Sequence, residues 1–263
     1  MNLQGLHVLI TRPRGRGETL AAAIQAAGGH VREVPLLAVE PLDPQTDAAI
    51  RAATETRLRQ LDRYDAVIAI SINAVQFGLQ WASQFWPQWP QALHWYGIGA
   101  ATAEALAAWG TSAAAPAHGM NTEALLALPA LQQIEGRRFL ILRGVGGRET
   151  LAAQLRARGA VVDYAECYRR IAPVLDAETR ARLSEPVDAI CVNSAETLAN
   201  LWNNLPWDRL PLDCAARVRA QALIVPSARV AERAAELGFS RVVVAANAGT
   251  AATLAALQSL LHS

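Results

Sequence analysis

Arg143-Gly144-Val145-Gly146-Gly147-Arg148-Glu149-Thr150 decides the fold, because it is the second copy of an earlier stretch. It follows the apolar run Phe139-Leu140-Ile141-Leu142 and opens a helical pattern at Leu151-Ala152-Ala153-Gln154-Leu155. Near the start of the chain, Val8-Leu9-Ile10-Thr11-Arg12-Pro13 runs through Gly15 and Gly17 into Glu18-Thr19-Leu20. An offset of 131, from Glu18 to Glu149, sets Arg12 on Arg143, Gly15 on Gly146, Thr19 on Thr150, Gly28 on Gly159 and Val31 on Val162. An Arg, a Gly, a Glu-Thr-Leu and a second Gly in register make a repeat, and so long a period is a duplicated domain rather than a solenoid unit.

The 263 residues therefore divide into two domains of roughly 130 residues, each long enough to bury a core. With 52% hydrophobic residues, 18% charged and a net charge of +1, the composition is that of a globular protein. That balance argues against nucleic acid or an anionic membrane as partner. No apolar run approaches the roughly 20 residues of a spanning helix, and no secretory signal is expected from the first residues. Cys167, Cys191 and Cys214 are odd in number and far apart, which suits free thiols in a reducing cytoplasm. Every basic side chain is arginine, so Schiff-base chemistry and a P-loop lysine are excluded.

Apolar runs alternate with helical patterns along the chain. Leu6 to Thr11, Val31 to Val34, Tyr64 to Ile70, Trp95 to Ile98, Arg138 to Leu142, Val161 to Cys167, Val187 to Val192, Leu223 to Val225 and Arg241 to Ala245 are expected strands. Helices are expected at Glu18–Ala27, within 46–62, from the start at Ser71-Ile72-Asn73-Ala74-Val75, at Ala103–Trp109, at Thr122–Leu128, from Leu151, from Ser194-Ala195 and at Thr250–Leu261. The segment 81–95, with Trp81, Trp86, Trp89 and Trp95, suggests a packed surface loop, with an aromatic ligand platform as the alternative. This alternation predicts an α/β fold, two flavodoxin-like lobes with parallel sheets, whose ligands sit beyond the carboxyl ends of the strands. Arg12, Ser71, Thr102, Arg143, Ser194, Ser227 and Arg229 fall in those loops, recurring in both halves.

Gly97-Ile98-Gly99 and Gly144-Val145-Gly146-Gly147 do not complete a dinucleotide fingerprint and suit tight turns that could bind an anion through backbone N–H groups. Ser71 and Ser194 lack a nucleophile elbow and suit helix capping. The five histidines show no metal spacing, and no Cys-x-x-Cys occurs. No metal and no cofactor is therefore expected. Arginines, hydroxyls and amides at the strand ends fit a polyanionic substrate whose own reactivity supplies much of the chemistry.

The residues that carry a family resemblance run through the chain in order. They are Val8-Leu9-Ile10-Thr11-Arg12-Pro13, Ser71-x-Asn73-Ala74-Val75, Gly97-Ile98-Gly99-x-x-Thr102, Ile141-Leu142-Arg143-Gly144-x-Gly146-Gly147-Arg148-Glu149, Glu166-Cys167-Tyr168-x-Arg170, Ser194, Pro226-Ser227-x-Arg229 and Asn247. Together they resemble bacterial uroporphyrinogen-III synthase. The resemblance implies two lobes joined by a two-stranded connector, with lobe one at 1–36 and 174–263, lobe two at 43–165, and connector strands at 37–42 and 166–173. The pattern by itself also allows tandem halves split near residue 132.

The implied enzyme is a cyclising hydro-lyase of heme biosynthesis, a cytoplasmic, cofactor-independent monomer. Its substrate, hydroxymethylbilane, is a linear tetrapyrrole. Hydroxide leaves ring A to give an azafulvene; ring D attacks through its substituted carbon to form a spiro intermediate, which reopens and recloses with ring D inverted. Tyr168 matches the family's tyrosine that assists the departing hydroxyl, the alternative being a connector residue that packs the hinge. Ser71, Thr102, Ser194 and Ser227 match positions lining the family's cleft, and Arg12, Arg143, Gly146 and Arg229 extend that set toward substrate carboxylates. Fold alone would also allow a cytoplasmic two-lobed small-molecule binding or sensor protein.

Overall fold

The computed structural model describes residues 2–205, 207 and 212–262, with the side chains of residues 212–214 and 262 outside the description, so the expectation of a free thiol at Cys214 lies outside it. The chain divides into two compact units, 1–38 with 171–263, and 39–170.

The first unit contains β1 (His7–Ile10), α1 (Glu18–Ala26) and β2 (His30–Glu33) from the start of the chain. The second holds β3 (Ala38–Pro41, its first residue at the crossing), α2 (Ala48–Leu58), β4 (Ala66–Ala69), α3 (Ile72–Ala82), β5 (His94–Gly97), α4 (Ala100–Ala107), β6 (Ala113–Ala114) and α5 (Thr122–Leu126). It continues with β7 (Arg138–Gly144), α6 (Thr150–Ala157) and β8 (Val161–Ile171), whose last residue returns to the first unit. That unit is completed by α7 (Ala177–Ser184), β9 (Ala189–Cys191), α8 (Ala195–Asn204), α9 (Leu212–Ala220), β10 (Ala222–Val225), α10 (Ala228–Glu236), β11 (Val242–Val244) and α11 (Thr250–Ser259).

The first unit's sheet runs β2-β1-β9-β10-β11 and is parallel throughout. Taken in chain order within that unit, this is the 2-1-3-4-5 flavodoxin-like order. The second unit repeats the order as β8-β7-β4-β5-β6, with β3 added beside β8. Here the first two strands of the pattern come last in the chain. Each unit therefore takes its leading βαβ from one repeat and its trailing strands from the other, so the units are not tandem halves.

Alternate residues along the strands feed opposite faces, as the period of two requires. In the first unit Leu9, Ile190 and Leu223 join one core cluster, while Val8, Ile10, Ala189, Cys191 and Ile224 join another. In the second, Val67, Leu140 and Leu142 face one cluster and Ala66, Ile68, Phe139 and Ile141 the other.

The structure differs from the sequence expectations in several places. Helices α7 and α9 were not expected, because polar and charged residues dilute the apolar stripe of Ala177–Ser184 and Leu212–Ala220. Helix α4 begins at Ala100, three residues early, with Gly99 as its cap. The tryptophan stretch is partly helical and packed: α3 runs through Trp81, while the Trp86 and Trp89 indoles donate to the carbonyls of Leu58 and Trp109.

Candidate functional site

The order of strands reverses between β7 and β4 in the second unit, the point where sheets of this kind open a crevice at their carboxyl ends. The loop after β4 supplies Ser71 there, in extended backbone at the N-cap of α3. Its Oγ accepts the N–H of Ala74 at 3.0 Å and lies 3.1 Å from the hydroxyl of Tyr168.

Tyr168 arrives on β8 through an irregularity. Arg143 pairs with Glu166, yet the next residue, Gly144, pairs with Tyr168, so the strand carries one extra residue at Cys167. A bulge re-aims side chains, and Tyr168 joins the same core cluster as Ala165 and Cys167. Its ring lies against Phe77, with centroids 5.5 Å apart. On the other flank is Gly144, where a Cβ would come within 2.6 Å of the ring. The side chain is buried, with 5% of its surface exposed.

Beyond Gly144 the loop closes on itself. The Arg143 guanidinium is buried and donates to the Gly144 carbonyl at 3.2 Å, to the Gly146 carbonyl, and to Glu149 Oε1 at 3.0 Å. It lies over the Tyr164 ring, 4.5 Å from the centroid, and Tyr164 donates its hydroxyl to the other Glu149 oxygen. That hydroxyl, and then Arg143, hold the Glu149 carboxyl below its usual range against an opposing desolvation. The N–H of Gly146 donates to Glu166 Oε1 at 3.1 Å.

The remaining candidate in this unit is Thr102, buried in the first turn of α4. Its N–H bonds the Gly99 carbonyl at 3.0 Å, leaving the hydroxyl without a hydrogen-bond partner among the described residues. A Cβ at Gly99 would come within 2.7 Å of Met120 Cγ, so the exposed Met120 side chain would have to shift.

In the first unit, Arg12 follows β1 and reaches the start of α11. It donates to the Ala248 carbonyl at 2.8 Å and to the Thr253 and Thr250 hydroxyls at 3.3 and 3.5 Å. Burial lowers its pKa, with Cys191 opposing. Ser194 caps α8 by accepting the Thr197 N–H at 3.1 Å, and its Oγ lies 2.9 Å from the Thr197 hydroxyl. Ser227, half-buried at the start of α10, and the exposed Arg229 have no side-chain hydrogen bond among the described residues.

A family profile described as uroporphyrinogen-III synthase HemD matches residues 18–255. Uroporphyrinogen-III synthase of Salmonella typhimurium is 38% identical over 96% of this chain and 100% of its own. That of Escherichia coli is 36% identical over the same shares. The chain belongs to the uroporphyrinogen-III synthase family. Among solved structures, the Helicobacter pylori uroporphyrinogen-III synthetase matches the fold with a TM-score of 0.63 at 14% identity, covering 97% of this chain and 99% of that one. A Thermus thermophilus uroporphyrinogen III synthase mutant matches at 0.58 and 20%, covering 98% and 99%. The family, an enzyme family, decides against the sensor reading that fold alone allowed.

Within this synthase-family chain the sequence-expected residues therefore sort into three groups. Ser71 and Tyr168 meet each other. Arg12, Arg143, Gly146 and Ser194 spend their polar groups inside their own unit. Thr102, Ser227 and Arg229 keep theirs free among the described residues. Phe77 and Gly144, which flank the Tyr168 ring, were not singled out as site residues. A glycine ending a long apolar strand was the visible signal for one of them; Phe77 gave none. Among the described residues no three His, Cys, Asp or Glu side chains gather as a metal site requires, and no helix is long and apolar enough to cross a membrane.

Proposed function

We propose that this synthase-family chain closes hydroxymethylbilane to uroporphyrinogen III, and that the Tyr168 phenol protonates the hydroxyl leaving ring A. The observation that carries the reading is the Tyr168 hydroxyl held 3.1 Å from Ser71 beside the reversal in strand order, where Gly144 makes room for its ring. A phenol is protonated at neutral pH and can donate to a departing hydroxide.

In this scheme the ring A nitrogen pushes electrons toward its hydroxymethyl carbon as the C–O bond breaks. The phenol proton goes to the leaving oxygen, so water departs and an azafulvene remains. The substituted carbon of ring D attacks it, the spiro intermediate fragments, and ring D recloses inverted. The proton lost as ring D regains aromaticity restores the phenol. One water is lost and no electrons are exchanged, so the chemistry calls for no redox cofactor. Thr102, Ser227 and Arg229, whose polar groups are uncommitted, are the side chains proposed to meet substrate carboxylates, alongside backbone N–H groups at the helix starts. The same reading makes the enzyme a cytoplasmic monomer with no nucleic-acid or membrane partner.

The test is incubation with freshly generated hydroxymethylbilane, oxidation of the product and separation of the porphyrin isomers. The inverted isomer is expected. Only the uninverted isomer, formed at the rate of a blank, would overturn the reading.

A further inference from the structure

The two halves of the chain use one device at the start of α3 and α8, and a single difference between them assigns a role to Ser71. In each, a serine at the N-cap accepts the N–H three residues on: Ser71 from Ala74 at 3.0 Å and Ser194 from Thr197 at 3.1 Å. In α8 the serine hydrogen is spoken for. Thr197 gives its only hydroxyl hydrogen to Asn193 Oδ1 at 2.8 Å, so the 2.9 Å contact between Ser194 and Thr197 is donated by Ser194. In α3 the position of Thr197 is taken by Ala74 and that of Asn193 by Ile70. The local acceptor is gone, and the group 3.1 Å from Ser71 Oγ is the Tyr168 hydroxyl instead. The repeat offset of 131 sets Leu37 on Tyr168, so the first unit has no phenol for Ser194 to serve.

We propose that Ser71 is the positioning residue for Tyr168: it donates its hydroxyl hydrogen to the phenol oxygen and leaves the phenol hydrogen free for the departing hydroxyl of the substrate. The direction follows from the cap. An oxygen that accepts an amide hydrogen becomes a better donor, because linked hydrogen bonds polarise one another. The reverse direction would spend the phenol hydrogen on Ser71 and leave the Ser71 hydrogen with no acceptor among the described residues. Ser71 so placed fixes the rotation of the phenol O–H and need not touch the substrate. The proposal rests on the reading of Tyr168 as the proton donor.

The test compares kcat and KM for hydroxymethylbilane in the whole protein and in Ser71→Ala, Ser71→Gly, Ser71→Thr, Tyr168→Phe and Ser71→Ala/Tyr168→Phe. Glycine caps a helix nearly as well as serine, so Ser71→Gly removes the hydroxyl and keeps the fold if the alanine variant proves unstable. Ser71→Ala and Ser71→Gly are each expected to lower kcat about tenfold at nearly constant KM. The double variant should be no slower than Tyr168→Phe alone, and Ser71→Thr, which keeps a hydroxyl, should recover most of the rate. Losses that multiply in the double variant, or a raised KM at full kcat, would mean that Ser71 meets the substrate on its own and would overturn the proposal. Full kcat in Ser71→Gly would reduce the hydroxyl to a cap and overturn it too. Full rate in Tyr168→Phe, with the inverted isomer still formed, would remove both this proposal and the proton donor while the overall reaction stood. Failure of the unaltered protein to form that isomer would remove all three.

Discussion

Gly144→Ala probes the site without deleting any group proposed to act in it. Gly144 ends β7, and a Cβ added there would lie 2.6 Å from Tyr168 Cε2, 2.8 Å from Cζ and 3.1 Å from Cδ2. Carbon atoms in contact settle near 3.5 Å or more, so the ring must move by roughly 0.8 Å or more at its hydroxyl end. Phe77 stands on one side of the ring, and the hydroxyl has only its 3.1 Å bond to Ser71 to lose. Overpacking of this kind costs about 1–3 kcal/mol of stability. A displacement approaching 1 Å at a reacting group can cost up to about 100-fold in rate. Gly144→Ala is therefore expected to unfold at lower denaturant and to lose roughly 10- to 100-fold in kcat, with Tyr168→Phe adding little to the loss.

Gly29→Ala supplies the control for instability alone. There the added Cβ would meet Ile24 Cγ2 at 2.7 Å and the Leu6 carbonyl at 3.2 Å, a comparable crowding within the other unit. It should lower stability by a similar amount and leave kcat within about twofold. Isomer-resolved assays and urea titrations on both variants decide the matter. If Gly144→Ala lost stability but kept its rate, the phenol position would not matter, and Tyr168 would be a packing residue.

Tyr168→Phe should slow turnover about 10- to 100-fold, or roughly 1–3 kcal/mol, with the inverted isomer still dominant, because the phenol assists only the first step. Arg143→Met should cost roughly 2–4 kcal/mol in a denaturant titration while leaving KM nearly unchanged, since the guanidinium is buried and bonded to its own loop. A tenfold rise in KM with full stability would return Arg143 to the substrate. Hydrogen bonds from Arg169 to Asp47, from Thr46 and Gln45 to Asp43, and from Thr179 to Asp176 hold those carboxyls below their ordinary range, as Tyr164 and Arg143 do for Glu149. As pH falls the unfolded chain then binds protons first, so this stabilisation is complete above pH ~4 and fades as pH drops through the folded values. Calorimetry should show a flat Tm from pH 7 to about 5 and a fall below about 4, smaller in Asp47→Asn; a Tm that rises on acidification would contradict it. Desolvation pushes the Cys167 and Cys191 thiols up to about 12, so alkylation at pH 8 should spare both in the native protein and modify them only after unfolding, as read by peptide mass spectrometry.

The duplication and the parallel strands were legible because they rest on spacing. Arg12 on Arg143 and Gly28 on Gly159 survive at one offset, and runs such as Val67-Ile68-Ala69 need two covered faces. The exchange of strands between repeats was not legible from the pattern alone. Tandem and exchanged arrangements bury the same faces of the same elements, and only the resemblance favoured the second. At the site, the Ser71 and Ser194 caps were readable from residue type and position. The meeting of Ser71 with Tyr168 was not, because it depends on one extra residue in β8 that changes which residue faces Gly144. Arg12 and Arg143 were ambiguous for a related reason. An arginine after a strand suits an anion from outside as well as a carboxylate or carbonyl of its own loop, and only coordinates tell Glu149 and Ala248 from a ligand.

The repeats also divide their labour along lines that the residue exchanges explain. Arg12 and Arg143 align, yet Arg12 ties β1 to the start of α11, whereas Arg143 shapes the glycine loop beside Tyr168. Ser194 and Ser71 align, yet one closes its hydroxyl onto Thr197 and the other onto Tyr168. Both arginines bond within their own unit, and only the serine pair diverges toward the phenol. The polar side chains that stay uncommitted occur in both units: Thr102 lies in the second unit, and Ser227 with Arg229 in the first. A duplicated scaffold that needed two equivalent sites would keep a tyrosine at the Tyr168 position in both halves. Leu37 at the matching position leaves the first unit without a counterpart of the proposed acid. Grafting the phenol with Leu37→Tyr should therefore add no activity, because Ser194 already spends its hydrogen on Thr197 and Leu37 is buried in the first unit. A Leu37→Tyr variant that restored turnover to Tyr168→Phe would show the two halves to be interchangeable and this division to be wrong.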